Sequence, residues 1–246
     1  MQIEYAELSL IGHREDNQDR VGIAVDEQAA LLVAVDGMGG HSNGALAAET
    51  ALASLTTSFG QLSHPLFDPL GFLHLALGKA HEDVVALGRE LSIDQRPRAT
   101  CALCLVQEGS AFWAHVGDSR VYQIRNGEVV ARTRDHSHVE QLLREGRITE
   151  SEAHGHPMRN FVECCLGGDP LLTEMTIGRR RVLKKGDLLL ACTDGVWANL
   201  KDSDVATPWR ATARLPETLA ELCKRAVRAS APYSDNASAA VLRWLG

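Results

Sequence analysis

The chain has 246 residues, 45% of them hydrophobic, and a formal net charge of −7. That length and apolar content suffice to bury a full core without disulfides or a partner. The acidic balance argues against nucleic acid, which needs a basic face for its phosphates, so any site for an anionic substrate must be made locally positive by metals or arginines.

In chain order, residues 1–14 lack the basic and apolar regions of a signal peptide and read as a strand. No apolar run approaches membrane-spanning length, so no membrane partner is expected. Residues 31–35 form a continuous valine-rich apolar run, predicting a strand buried on both faces. Asp36-Gly37-Met38-Gly39-Gly40 would close it with a glycine-rich turn. Helices are predicted over 44–59 and 69–91, then strands over 99–106, 111–116 and 121–124. Asn126-Gly127 signals a tight hairpin into 128–132. A short helix is expected over 137–145, and Thr149-Glu150-Ser151-Glu152 has the pattern of a capping box. Residues 188–192 form a second buried strand ending at Thr193-Asp194-Gly195. A helix over 216–229 and a last strand over 238–244 follow. The six cysteines lie mostly in apolar runs and read as reduced core residues of a cytoplasmic protein. Cys101 and Cys104 form a CxxC, but on a strand they would face opposite ways, and no second pair stands at zinc-site spacing. With no repeat, low-complexity stretch or linker, residues 1–246 read as one domain, and the grouping of strands and helices favours a layered α+β fold.

The aspartates carry the functional signal. Asp36, Asp118 and Asp194 each follow an apolar strand beside glycine or serine, and Asp235 precedes the last strand. Singly, each reads as a turn residue bonding its own backbone. Four carboxylates at strand ends are instead a set of hard oxygen ligands, suited to magnesium or manganese. Gly37 would let a backbone carbonyl approach a metal closely. Arg14 is either a solvated rim charge or a fork for two phosphate oxygens. Carboxylate-held metals with one arginine match hydrolysis of a phosphate ester by activated water.

These segments, in order, resemble the metal-dependent protein phosphatases of the 2C type, particularly their bacterial single-domain members. The resemblance spans essentially the whole chain: Arg14-Glu15-Asp16-Asn17-Gln18-Asp19, Asp36-Gly37-Met38-Gly39-Gly40-His41, Ala99-Thr100, Gly117-Asp118-Ser119-Arg120, Asp135-His136-Ser137, Glu145-Gly146-Arg147-Ile148-Thr149, His156-Pro157-Met158-Arg159-Asn160, Thr193-Asp194-Gly195 and Asp235-Asn236. It implies a pair of antiparallel β-sheets flanked by antiparallel helices, and hydrolysis of phosphoserine and phosphothreonine in proteins at two Mn2+ or Mg2+ ions. By residue, it implies that Asp36 bridges the ions, that the Gly37 carbonyl serves one, and that Asp194 and Asp235 serve the other. Asp118 with Asp194 would hold a third, weaker ion, Asp19 would orient metal-bound waters, and Arg14 would bind phosphate. Residues 144–160 correspond to a flap beside the substrate. The expected setting is a cytoplasmic monomer opposing a bacterial serine/threonine kinase. Relatives of this length also occur in type VI secretion gene clusters, where they reverse phosphorylation of a forkhead-associated-domain protein.

The chain departs from the family pattern in two places. Met38 stands where many eukaryotic members carry a histidine to which protonation of the leaving group is attributed. His41, His154 and His156 are the nearest candidates for that task, His41 being equally readable as a helix cap. Residues 161–165 replace a Thr-Arg step before Leu166-Gly167. The rival readings are a catalytically dead phosphoprotein-binding module, a hydrolase of small phosphate esters and a two-metal nuclease. The complete carboxylate set argues against the first, the acidic charge against the last, and kinetics on phosphopeptide against sugar phosphates separates the second.

Overall fold

The computed structural model describes residues 1–38, 42–172, 174–209 and 214–246. Among them, the valine-rich run lies inside a longer strand, and every residue from Ala29 to Val35 is fully buried. The strands are β1 (Ile3–Leu10), β2 (Asp19–Val25), β3 (Ala29–Met38), β4 (Arg98–Gln107), β5 (Ser110–Val116), β6 (Arg120–Arg125), β7 (Glu128–Arg132), β8 (Leu166–Gly167), β9 (Thr176–Ile177), β10 (Arg181–Val182), β11 (Leu188–Cys192) and β12 (Ala237–Trp244). The α-helices are α1 (Ser42–Gly60), α2 (Pro69–Leu87), α3 (His138–Arg144), α4 (Glu150–His154), α5 (Asp194–Trp197), α6 (Asp202–Ala206) and α7 (Leu215–Ala229).

The strands form two sheets, ordered β1-β12-β11-β6-β7 and β10-β5-β4-β3-β2, with β8 added to β4 and β9 to β5. Neighbours within each sheet run antiparallel. Alternation along a strand then sorts the core into layers. Leu31, Val33 and Val35 of β3 join Cys101, Leu103 and Leu105 of β4 beneath α1 and α2. Their neighbours Leu32, Ala34, Ala102 and Cys104 face the other sheet, against Leu189, Ala191 and Leu242. On the far side Leu190 and Cys192 meet Leu219, Leu222 and Cys223 of α7. The expected layered α+β architecture of two antiparallel sheets flanked by helices is what the chain forms. Cys101 and Cys104 fall in different layers, as the strand period requires.

Local signals account for several boundaries. Asp68 caps α2 by accepting from Gly71 N at 2.9 Å, and Pro69 takes a first-turn position where no N–H is needed. The Asn126-Gly127 hairpin has φ of 54° and 78°, left-handed at both residues as its tight turn demands. Thr149 and Glu152 form the capping box at the start of α4.

The structure also corrects the sequence reading. The strand read over 31–35 does not end at Asp36 but continues to Met38, so Asp36 and Gly37 are paired strand residues. Backbone pairing with Thr100 and Ala99 of β4 overrides the turn tendency of Asp-Gly. The second helix stops at Leu87 rather than 91, where Gly88 takes the C-cap. Strand β2 went unread because charge and Gly22 interrupt its apolar pattern. The two-residue strands β8, β9 and β10 exist only through their partners. Among the described residues no helix is long and apolar enough to cross a membrane.

Candidate active site

Antiparallel pairing gathers the aspartates at one end of the two sheets. Asp19 opens β2 and lies directly opposite Asp36 in β3. Asp118 sits in the β5–β6 turn, Asp194 begins α5 just beyond β11, and Asp235 precedes β12. Together with Arg14, Gly37 and Met38, Asp36, Asp118, Asp194 and Asp235 line a cleft of about 630 Å³. Asn160 and Val162 border the same cleft, which places the end of the predicted flap beside it.

Each carboxylate is positioned by identifiable contacts. A side chain at Gly37 would collide with the Gly44 carbonyl, so glycine is what lets the start of α1 pack onto the end of β3. The Gly37 N–H donates to Gln18 O at 3.1 Å, tying the strand to the segment before β2. Asp19 is buried and accepts from the Thr193 hydroxyl at 2.8 Å, which links β2 to the residue preceding Asp194. Asn236 acts as a clamp. Its side chain donates to Ile11 O at 2.8 Å and Asp16 O at 3.0 Å and accepts from Gln18 N at 2.8 Å, while its own N–H donates to Asp235 Oδ1 at 2.8 Å. The sequence motif included Asn236 without assigning this task, because its side chain's partners lie more than 200 positions away.

Asp118 is held from behind by a buried ion pair. Arg120 makes two 2.7 Å bonds to Asp135, and its guanidinium lies 3.2 Å from the centre of the Trp197 ring. The Trp197 Nε1–H in turn donates to the Asp118 carbonyl at 3.1 Å. Planar Arg is suited to pairing with a carboxylate and stacking on an aromatic face at once.

Burial and mutual repulsion act on these acids. Asp36 is raised well above the ordinary carboxylate range by burial and then by Asp19, Asp194, Asp118 and Asp235. Asp118 is likewise raised, by burial and by Asp194 and Asp135. Burial lifts Asp19 to about 7 against the bonds from Thr193 and Ser238, and burial with Asp235 lifts Asp194 to about 6. Asp118 Oδ1 is buried without a hydrogen-bond partner among the described residues. Orphaned buried oxygen and converging anionic oxygens fit a hard divalent cation. Among the described residues no three His, Cys, Asp or Glu side chains are closed tightly enough to hold an ion as they stand. Asp235 is instead engaged by Arg14, Nη2 to Oδ2 at 2.7 Å. Arg14 is therefore anchored at the cleft through one nitrogen, and over half of its side chain remains exposed.

His41 lies outside the described residues, and so does the side chain of His154. His156 accepts from Met158 N at 3.1 Å within the predicted flap and does not line the cleft. His13, which the sequence reading passed over, does line it. In the departing stretch, Val162 bridges to Ser137 and Cys164 is buried while Phe161 stays exposed, and Leu166–Gly167 just beyond it pairs with β4.

A family model described as protein phosphatase 2C matches residues 9–245. A putative protein phosphatase 2C-type of Streptococcus pyogenes is 31% identical over 201 residues, 79% of this chain and 78% of that one. The serine/threonine protein phosphatase PstP of Mycobacterium tuberculosis is 31% identical over 229 residues, 93% of this chain, and the chain spans 42% of PstP's length. The catalytic domain of PstP, solved with two manganese ions, superposes with a TM-score of 0.82 at 28% identity, over 99% of each chain. PppA, described as a key regulatory component of the type VI secretion system in Pseudomonas aeruginosa, superposes with a TM-score of 0.77 at 27% identity, over 99% of this chain and 98% of that one.

Proposed function

The chain belongs to the protein phosphatase 2C family, and from that membership we propose that it hydrolyses phosphoserine and phosphothreonine in proteins at a centre of two Mn2+ or Mg2+ ions. The observation that carries the reading is the convergence of Asp36, Asp118, Asp194 and Asp235 on one cleft with Arg14 at its rim. Bound there, divalent ions supply Lewis acidity to the phosphate and make water nucleophilic at neutral pH.

The chain's own residues divide the remaining work. Asp36, central among the acids, and the Gly37 carbonyl beside it would help hold the ions. Asp194 and Asp235 would hold the second ion, and Asp118 with Asp194 would hold a third, weaker one. Asp19, bonded to Thr193 behind the cleft, orients water. Arg14 has guanidinium nitrogens beyond the one given to Asp235, and these meet phosphate oxygens and offset charge as the ester bond breaks. No side-chain nucleophile is needed: Cys192 is fully buried in β11, where burial pushes its thiol far up.

The free, mostly buried cysteines and the acidic charge are in keeping with a cytoplasmic monomer acting on phosphoproteins opposite a serine/threonine kinase. The likeness to PppA supports a place in type VI secretion control. The test of the reading is turnover with Mn2+ of a phosphothreonine peptide against sugar phosphates. Preference for the sugar phosphates overturns it.

Arg14→Ala should raise KM for phosphopeptide and lower kcat/KM by about 10- to 100-fold, the worth of a hydrogen bond to a charged group. Mn2+ affinity should hold or tighten in this variant, since Arg14 and an ion compete for Asp235. Unchanged kinetics with a calorimetric Mn2+ titration like that of wild type would make Arg14 a rim charge.

A further inference from the structure

Serine and threonine alkoxides are poor leaving groups, so their departure gains from a proton delivered as the P–O bond breaks. Met38, on the cleft wall, has no proton to give. Asp36, Asp118, Asp194 and Asp235 are assigned to ions, Arg14 does not deprotonate, and Glu15 and Asp16 are exposed side chains at the rim. His13 is the one imidazole lining the cleft among the described residues.

Its ring is also held. Nδ1 lies 2.6 Å from the hydroxyl of Ser234, a buried side chain one residue before Asp235, and the His13 N–H donates to Ser234 O at 3.1 Å. Anchoring Nδ1 turns Nε2 away from Ser234, and Nε2 has no hydrogen bond among the described residues. In the protonated ring Nδ1–H donates to the Ser234 hydroxyl and Nε2 carries the second proton, whose departure leaves a neutral imidazole. His13 and Arg14, the residue that binds phosphate in the reading above, line the same cleft, so the imidazole and the guanidinium share the space an ester would enter.

We infer that His13 is the general acid that protonates the departing serine or threonine oxygen, an inference that rests on the phosphatase reading. Water forms the new P–O bond as the ester P–O bond breaks. The Nε2 proton passes to the leaving oxygen, which departs as the alcohol. The attacking water loses its own proton to solvent, and the imidazole regains one from solvent before the next turnover. No electron transfer or co-reactant is involved.

The experiment uses the full chain with Mn2+ and compares a phosphothreonine peptide with p-nitrophenyl phosphate, whose weakly basic leaving group departs without a proton. His13→Asn keeps a polar atom near the place of Nδ1 for Ser234 and removes Nε2. It should lower kcat on the peptide about a hundredfold and on p-nitrophenyl phosphate by about threefold at most. His13→Ala should show the same split, and added imidazole should restore part of its peptide activity. Equal slowing on both substrates would make His13 a positioning residue for the turn carrying Asp235 and overturn the inference. So would full peptide activity in His13→Asn. A wild-type chain that cleaves p-nitrophenyl phosphate but leaves the peptide intact overturns the phosphatase reading itself, and the inference falls with it.

Discussion

Asp36→Asn should lower kcat on a phosphothreonine peptide by at least about a hundredfold, because it removes the charge that would hold the proposed ions while keeping the side chain's size. Asp36 is the acid on which the others converge: Asp19, Asp194, Asp118 and Asp235 all act on it. An amide there still fits the β3 position opposite Asp19 and Thr100, so the fold has no reason to fail. Relief of repulsion should leave the metal-free variant as stable as wild type, or more so. The rise in Tm that Mn2+ gives wild type should shrink or vanish. Asp194→Asn and Asp235→Asn should lower kcat in the same direction. Thermal melts with and without Mn2+, beside steady-state kinetics, check both halves. An Asp36→Asn chain with wild-type kcat would remove this residue from the centre of the site.

Much of this arrangement was legible in the sequence, for physical reasons that differ by element. The runs behind β3 and β11 announce themselves because strands covered on both faces must be apolar throughout. The hairpin at Asn126-Gly127 is legible because few residue pairs tolerate two left-handed φ values. The aspartates stood out as strand-end acids, and the ordered resemblance supplied their roles. What stayed hidden depends on pairing across long stretches of chain. Asp36 is a strand residue because β4 offers it a partner, a fact that no local signal carries. The clamp of Asn236 on Ile11, Asp16 and Gln18 joins the two ends of the chain. The same closure brings Ser234 to His13, a contact that no local signal announces, so the sequence points to His41, His154 and His156 and not to the neighbour of Arg14.

Chelation should remove all turnover, and the metal-free chain should lose stability as pH rises from about 4 towards 7, a fall that Mn2+ abolishes. The sign follows from the acids in the cleft. Asp194 is lifted from 3.8 to about 6 and Asp19 from 3.8 to about 7, with Asp36 and Asp118 raised as well. Between the unfolded and folded values the native state binds more protons than the unfolded chain, so stability falls with rising pH through that window. Two buried histidines work the other way. Burial lowers His115 from 6.5 to about 4 and also lowers His136, so their share of the stability is lost as pH falls through the unfolded value near 6.5. Four raised carboxylates against two lowered imidazoles leave the acids dominant. Asp36→Asn, which removes one acid and its repulsion of the rest, should flatten the slope without touching the histidines. Divalent ions bind the native state alone and favour ionised ligands, adding about 2.7 kcal/mol at a hundredfold excess over Kd. Melts at pH 5, 6, 7 and 8 in EDTA and in Mn2+ provide the measurement. If Tm in EDTA rose steadily with pH and Asp36→Asn rose in parallel, the acids would not be repelling one another, and the site as drawn would lose the electrostatic demand that calls for an ion.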